Sequence, residues 1–243
     1  MLTKVTEKPA LPEKPEKAKG RSSSISAPKF SILSVTIRNV PDSPLVIHAF
    51  SAKQRNTMKE AQVAGSVGRS KRKRAPKDFD EVYNNARHIS KEGWDGIAAA
   101  SFRNAMISAC RLVDYKMSIG KMTVFIIPDG QSAADRMPLV RIHGTPERFE
   151  AVARNQTGVA DIRVRPRWDE WSARLRMRFD TDKFTEDDVI NLLVRAGAQV
   201  GVGEGRPDSS NSFGLGWGMF EIDISQPIQL ETIEAPRIEL MRG

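Results

Sequence analysis

The sequence predicts an α+β fold built from two successive strand–helix–strand units. Three observations carry that expectation. An alternating apolar segment opens the hydrophobic part of the chain at residues 29–40, helical apolar spacing recurs around 101–113 and 185–196, and arginines alternate with apolar residues through 162–179.

Residues 1–27 are rich in Pro, Lys, Glu and Ser, hold too few apolar side chains to bury a core, and are expected to form a disordered tail. In KFSILSVTIRNV, Leu33, Val35 and Ile37 alternate with Phe30, Ile32, Ser34 and Thr36, which predicts a strand. Residues 53–64 suit a short helix, and GSVGRSKRKRAPKD after it suits a flexible basic loop. Asp78 stands three residues before Glu81, a capping-box spacing, with Phe79, Val82, Tyr83 and Ala86 on one helical face. A second helix is expected from Ala100 or Ser101, carrying Phe102, Ala105, Met106, Ala109 and Val113 on one stripe. KMTVFIIP (121–128) and PLVRIHG (138–144) suit strands, whereas TPERFEAVARNQ is ambiguous and compatible with one or two helical turns.

ADIRVRPRWDEWSARLRMRFD is the most regular stretch. Ile162, Val164, Pro166 and Trp168 alternate with Arg163, Arg165 and Arg167; then Trp171, Ala173, Leu175, Met177 and Phe179 alternate with Arg174, Arg176 and Arg178. Folded as an antiparallel hairpin with Asp169-Glu170 as the loop, Arg165 faces Arg174 and Arg163 faces Arg176, placing six arginines on one face and the tryptophans on the core side. Like charges directly opposite one another destabilise a sheet, so such a face calls for a counter-charge. Acidic residues elsewhere in the chain would serve; so would a phosphate backbone, whose oxygens suit guanidinium forks.

Thr185 caps the last helix with Asp188 at the capping-box position, Val189, Leu192, Leu193 and Ala196 form its stripe, and Gly197 is placed to end it. The glycine-rich GVGEGRPDSSNSFGLGWG (201–218) leads into a final strand, GMFEIDI. This order is that of a ferredoxin-like or RRM-type split βαβ sheet with helices on one face. It fills a single domain over 28–226, with a basic helix–loop insertion at 52–90 and a C-terminal extension at 227–243.

Net charge is +8, and the excess is local: between Ala52 and Lys77 nine Lys and Arg, including Arg69, Lys71, Arg72, Lys73 and Arg74, face Glu60 alone. Basic runs are commonly solvated loops. Beside the arginine-rich strands, however, this one makes nucleic acid the simplest partner. No apolar run approaches the length of a membrane span, and the N-terminal residues lack the apolar core of a signal peptide. The single cysteine, Cys110, excludes an internal disulfide or thiolate cluster, and a cytoplasmic setting is expected. No lysine of a phosphate-binding loop follows the glycines, which come after a helix rather than a strand, so no nucleotide cofactor is expected. His48, His88 and His143 lack metal-ligand spacing, so no metal is expected. Asp42 and His48 follow the first strand and are the acid–base candidates, though a loop Asp and a half-buried His are more often bland.

Two stretches carry a resemblance. GIAAASFRNAMISACR (96–111) resembles the small-Ser-hydrophobic-basic helix start of the RAMP superfamily, the RNA-binding proteins of CRISPR systems that include a backbone subunit polymerising along guide RNA. The glycine-rich stretch is similar to that superfamily's C-terminal loop: Gly203-Glu204-Gly205 and Gly214-Leu215-Gly216 are the paired glycines, with Arg206 as the basic residue and a longer spacer than usual. The chain also resembles, over residues 29–224, a group of uncharacterised tailed-phage proteins sharing PLVIHAFSAK and the stretch Arg167–Asp180. The RAMP resemblance implies that the glycine loop lets backbone amides approach a strand while Arg206, and Arg103 on the helix, add charge. In relatives that cut RNA an Asp after the first strand acts; Asp42 lies in such a loop, but nothing around it matches.

The expectation is a non-catalytic protein binding single-stranded RNA or DNA, compatible with homo-oligomers along the strand and with other subunits of a nucleoprotein complex. An endoribonuclease, and a phage structural or assembly protein, are the alternatives.

Overall fold

The computed structural model describes residues 27–49, 60, 62, 78–154, 160–209 and 215–233. The expected tail over 1–27 except its last residue, most of the helix at 53–64, the basic loop with Arg69, Lys71, Arg72, Lys73 and Arg74, and Gly214 lie outside the described residues.

The main sheet is built on β1 (Phe30–Asn39) and β10 (Ser172–Asp180), which pair antiparallel over nine residues from Phe30↔Asp180 to Arg38↔Ser172. β5 (Val124–Ile127) adds to the far side of β10. β11 (Phe220–Ile222) and β12 (Gln229–Ile233) share the free edge of β1, giving the order β11-β1-β10-β5 with β12 alongside β1. The alternation in β1 and β10 sets which face is covered: Leu33, Val35, Ile37, Leu175 and Met177 are at most 1% exposed, while Arg174 and Arg176 stay exposed.

Among the described residues, four α-helices are complete from end to end. α1 (Phe79–Ala86) starts at Asp78, whose carboxylate accepts from the amides of Asp80 and Glu81. α2 (Ala99–Ala109) and α4 (Glu186–Arg195) bury Phe102, Ala105, Met106, Val189, Leu192 and Leu193 in the core shared with the main sheet. α4 carries the expected reciprocal capping box of Thr185 and Asp188. α3 (Met117–Thr123) occupies the first part of the segment expected as strand, so β5 begins only at Val124. Phe220 stacks edge-on against Phe102 and Trp171, at centroid distances of 5.8 and 6.3 Å.

Two smaller sheets complete the described chain. One has the order β2-β9-β8, from Leu45–Val46, Ala160–Trp168 and Glu147–Arg154; the other has β3-β4-β7-β6, from His88–Ile89, Asp95–Ala98, Pro138–Arg141 and Gly130–Gln131.

The structure corrects four expectations. The arginine hairpin does not form: β9 pairs with β8 and β2, and β10 pairs with β1 and β5, so residues 169–171 carry the chain from one sheet to another. Alternation sets a strand's faces but not its neighbour, and the observed pairing avoids opposed arginines. Arg163, Arg165 and Arg167 face Ala151, Phe149 and Glu147, while Arg174, Arg176 and Arg178 face Thr36, Ser34 and Ile32. Residues 147–154 form a strand rather than helical turns. Val113 leaves the apolar stripe, because the helix tightens into a 3-10 turn at Cys110–Val113 and exposes it. Gly197 lies inside a π-turn (Ala196–Val200) rather than ending the helix; Gly201, at φ +72°, does that. A Cβ at Gly197 would fall 2.1 Å from the Phe220 carbonyl oxygen, so glycine there serves packing.

Candidate nucleic-acid interface

A cleft of about 540 Å³ opens where α2 meets the chain that follows α4. Its floor is the polar side of α2: Ser101, Asn104 and Ser108, spaced along one face of the helix, with Ala105 between them. These side chains are small, so a ligand can come close to the helix. One wall is the extended segment after β2, where Ile47 donates its amide to Pro166 and Ala49 to Ala86, holding His48 between β9 and α1. His88, at the start of β3, lines the same cleft.

The other wall is the glycine loop, from Val200 to Ser209. Gly203 has φ +79°, and a Cβ there would meet the Val46 carbonyl oxygen at 2.5 Å. Gly205, at φ +80°, is held as closely against the Trp217 ring. These two glycines therefore serve the chain's own packing. Glu204 donates its amide to Val46 and accepts from Arg165 Nε at 2.8 Å; Arg163 lies 3.8 Å away. The Arg206 guanidinium donates to the Gly203 carbonyl at 2.9 Å, which fixes its course along the loop. Asp208 is bound by Arg111 at 2.6 Å.

His48 keeps accessible surface, yet burial of its ring holds the imidazole below its ordinary pKa. The charges of Arg165, Arg163 and His88 act in the same direction and Glu204 opposes them. The neutral imidazole is thus favoured near neutral pH.

The structure brings Arg163, Arg165, Gly203, Gly205, Arg206 and His48 together at or beside this cleft. Arg167 turns aside to Asp169 and over the Phe149 ring. Gly216 lies farther along the loop, its carbonyl accepting from Ser43 Oγ at 2.7 Å. Arg103 donates to the carbonyls of Val124 and Lys121 and covers Phe125, and so acts as a clasp between α2 and β5. Arg174, Arg176 and Arg178 project from the main sheet on the face away from the helices. Asp42 sits in the turn after β1, at φ +60° and exposed, and does not line the cleft.

Sequence reasoning missed His88, Ser101, Asn104 and Ser108. The last three were legible as the polar side of the amphipathic 100–113 stretch; His88 was not, since only the tertiary fold brings it beside His48. Among the described residues, no group of three or more His, Cys, Asp or Glu side chains is placed to hold a metal ion. Among the described residues, no helix is long and apolar enough to cross a membrane.

No family model matches the chain, and no curated protein matches it. Among solved structures, the chain is similar to one in the cryo-EM structure of the type III-B Cmr-beta bound to cognate target RNA, at 10% identity and a TM-score of 0.46. The match covers 84% of this chain and 61% of that one, so this chain spans less than two thirds of its length.

Proposed function

We propose that this chain binds a single strand of RNA or DNA in the α2–glycine-loop cleft, without cutting it. One observation carries the reading: residues 97–108 and 200–209, far apart in sequence, line one cleft that combines small hydroxyl and amide side chains with Arg206, while Arg163 and Arg165 stand at its edge. Hydroxyl, amide and guanidinium groups are the ones that contact phosphate and sugar without reading sequence. The segment holding the local charge excess joins the described chain at Ala49, next to His48.

The same observation supports the RAMP resemblance, because its two stretches meet at one site. The order β11-β1-β10-β5, all antiparallel, with α2 and α4 connecting alternate strands, supports a ferredoxin-like reading of the main sheet. Assembly along the strand, with further copies or other subunits, extends the proposal and is tested by sedimentation with and without oligonucleotide.

Fluorescence anisotropy of the full chain with matched single-stranded RNA, single-stranded DNA and duplex probes tests binding. Tighter binding to a single strand, weakened by Arg206→Ala, supports the reading; equal affinity for duplex and single strand argues against it.

A second reading, strand cleavage, is favoured by the placement of His48 and His88 in one cleft. A neutral His48 is the form a general base needs. Strand breakage by the wild type, lost in His48→Ala with binding retained, would replace the non-catalytic reading.

A further inference from the structure

The arginines displaced from the expected hairpin form a surface of their own. β10 presents Arg174, Arg176 and Arg178 on alternate positions of one face, a row about 14 Å long at the usual strand rise. Beside them β1 sets Ser34 and Thr36 opposite Arg176 and Arg174, and Ile32 opposite Arg178, so hydroxyl groups flank the first two arginines and an apolar side chain flanks the third. Arg174 reaches across β1 to Gln229 of β12. Arg176 is exposed and makes no ion pair among the described residues. The Arg178 guanidinium lies over Phe30 at 4.9 Å and over Phe125 at 5.0 Å, and Arg103 covers Phe125 from the edge. The acidic groups of this face stand toward its margins: Glu221 is paired with Arg38, Glu231 lies on the outer strand β12, and Asp180 ends β10.

This surface is separated from the cleft. The opposite side of the same strands, with Leu33, Val35, Leu175 and Met177, is buried under α2 and α4, and the cleft lies on α2's polar side. A strand in the cleft therefore does not cover the sheet face.

We infer that the open face of the main sheet is a second, separate contact for single-stranded nucleic acid, so that one molecule holds two segments of strand at once. The inference rests on the single-strand reading of the cleft for its ligand class. Its own support is chemical: a row of guanidiniums at alternate strand positions can follow successive phosphates, and guanidinium planes and phenyl rings suit unpaired bases. Arg178, already held between two rings, gives up little further freedom on binding.

Native mass spectrometry with 8-nucleotide oligouridine and oligothymidine counts the segments. The variants are Arg174→Ser/Arg176→Ser for the sheet and Ser101→Glu/Asn104→Glu for the cleft, each verified by circular dichroism and melting. Two oligonucleotides per wild-type chain, falling to one in each variant, is the expected result. A wild-type count of one, abolished by the cleft variant and untouched by the sheet variant, overturns this inference and leaves the cleft reading intact. A count that neither variant changes, or no binding, overturns both. Equal displacement of the sheet-bound oligonucleotide by a glutamate peptide of the same length would also overturn it, marking the face as a site for acidic protein.

Discussion

Replacing Glu204 by Gln separates the structural role of the glycine loop from its role in binding. Glu204 ties the loop to β9 through Arg165, whose side chain is 11% exposed, and also lies 3.8 Å from Arg163. A charge-assisted hydrogen bond of this kind contributes roughly 1.5–3 kcal/mol. Because the Glu204 side chain is 34% exposed, water recovers part of that loss, and the expected cost is about 2 kcal/mol. For a chain of this size that lowers Tm by about 4–8 °C, measured by differential scanning calorimetry. The same change removes the carboxylate that competes with phosphate for both arginines. Affinity for single-stranded nucleic acid should therefore rise, by roughly three- to tenfold, even as the protein melts earlier. Opposite signs for stability and affinity are the signature. A Tm within about 1 °C of wild type would refute the anchoring role. Weaker binding by a folded Glu204→Gln protein would refute the idea that carboxylate and phosphate compete for Arg163 and Arg165.

The remaining predictions concern the loop, salt and pH. Gly203→Ala should cost about 3 kcal/mol or more, because its Cβ meets the Val46 carbonyl oxygen at 2.5 Å as well as a left-handed backbone, whereas Gly216→Ala, with nothing nearer than Met219 Sδ at 3.8 Å, should cost only about 1–2 kcal/mol; urea melts compare them. Arg206→Ala should reduce the slope of log affinity against log salt by roughly 0.7, the share of one phosphate contact on a single strand. His48 sits below its ordinary pKa of 6.5 in the free protein, so the unfolded chain binds more protons and stability falls as pH drops through about 6.5, levelling off below the folded value. A bound polyanion favours the imidazolium instead, so affinity should rise as pH is lowered from about 8 to 6. His48→Gln should flatten both profiles, read by melting and by anisotropy.

What was legible in the sequence was what depends on neighbours along the chain. Leu33, Val35 and Ile37 announce a strand, and Thr185 with Asp188 announces a helix start, because alternation and capping are local. The alternation of Arg174, Arg176 and Arg178 with Leu175 and Met177 was also read correctly as one exposed and one buried face. What β10 pairs with was not legible: two adjacent alternating runs suggest a hairpin, but β1 offers β10 a nine-residue register and a shared apolar face over α2 and α4. The cleft itself was half legible. The sequence shows its floor and its glycine-loop wall as separate stretches, yet only the tertiary fold shows that they meet, and that Gly203 and Gly205 pack closely against Val46 and Trp217. Arg103 shows the converse. The sequence shows it as a basic residue on the helix, but only the fold shows that it donates to the carbonyls of Val124 and Lys121.

The central claim, a single strand lying in the α2–glycine-loop cleft, is tested most directly by photo-crosslinking the full chain to a 4-thiouridine or 4-thiothymidine oligonucleotide and mapping the adducts by peptide mass spectrometry. The account predicts adducts on peptides covering residues 97–108 and 200–209, lost in Ser101→Glu/Asn104→Glu. Adducts confined to the basic segment at 52–77, with none on residues 97–108 or 200–209, would contradict it.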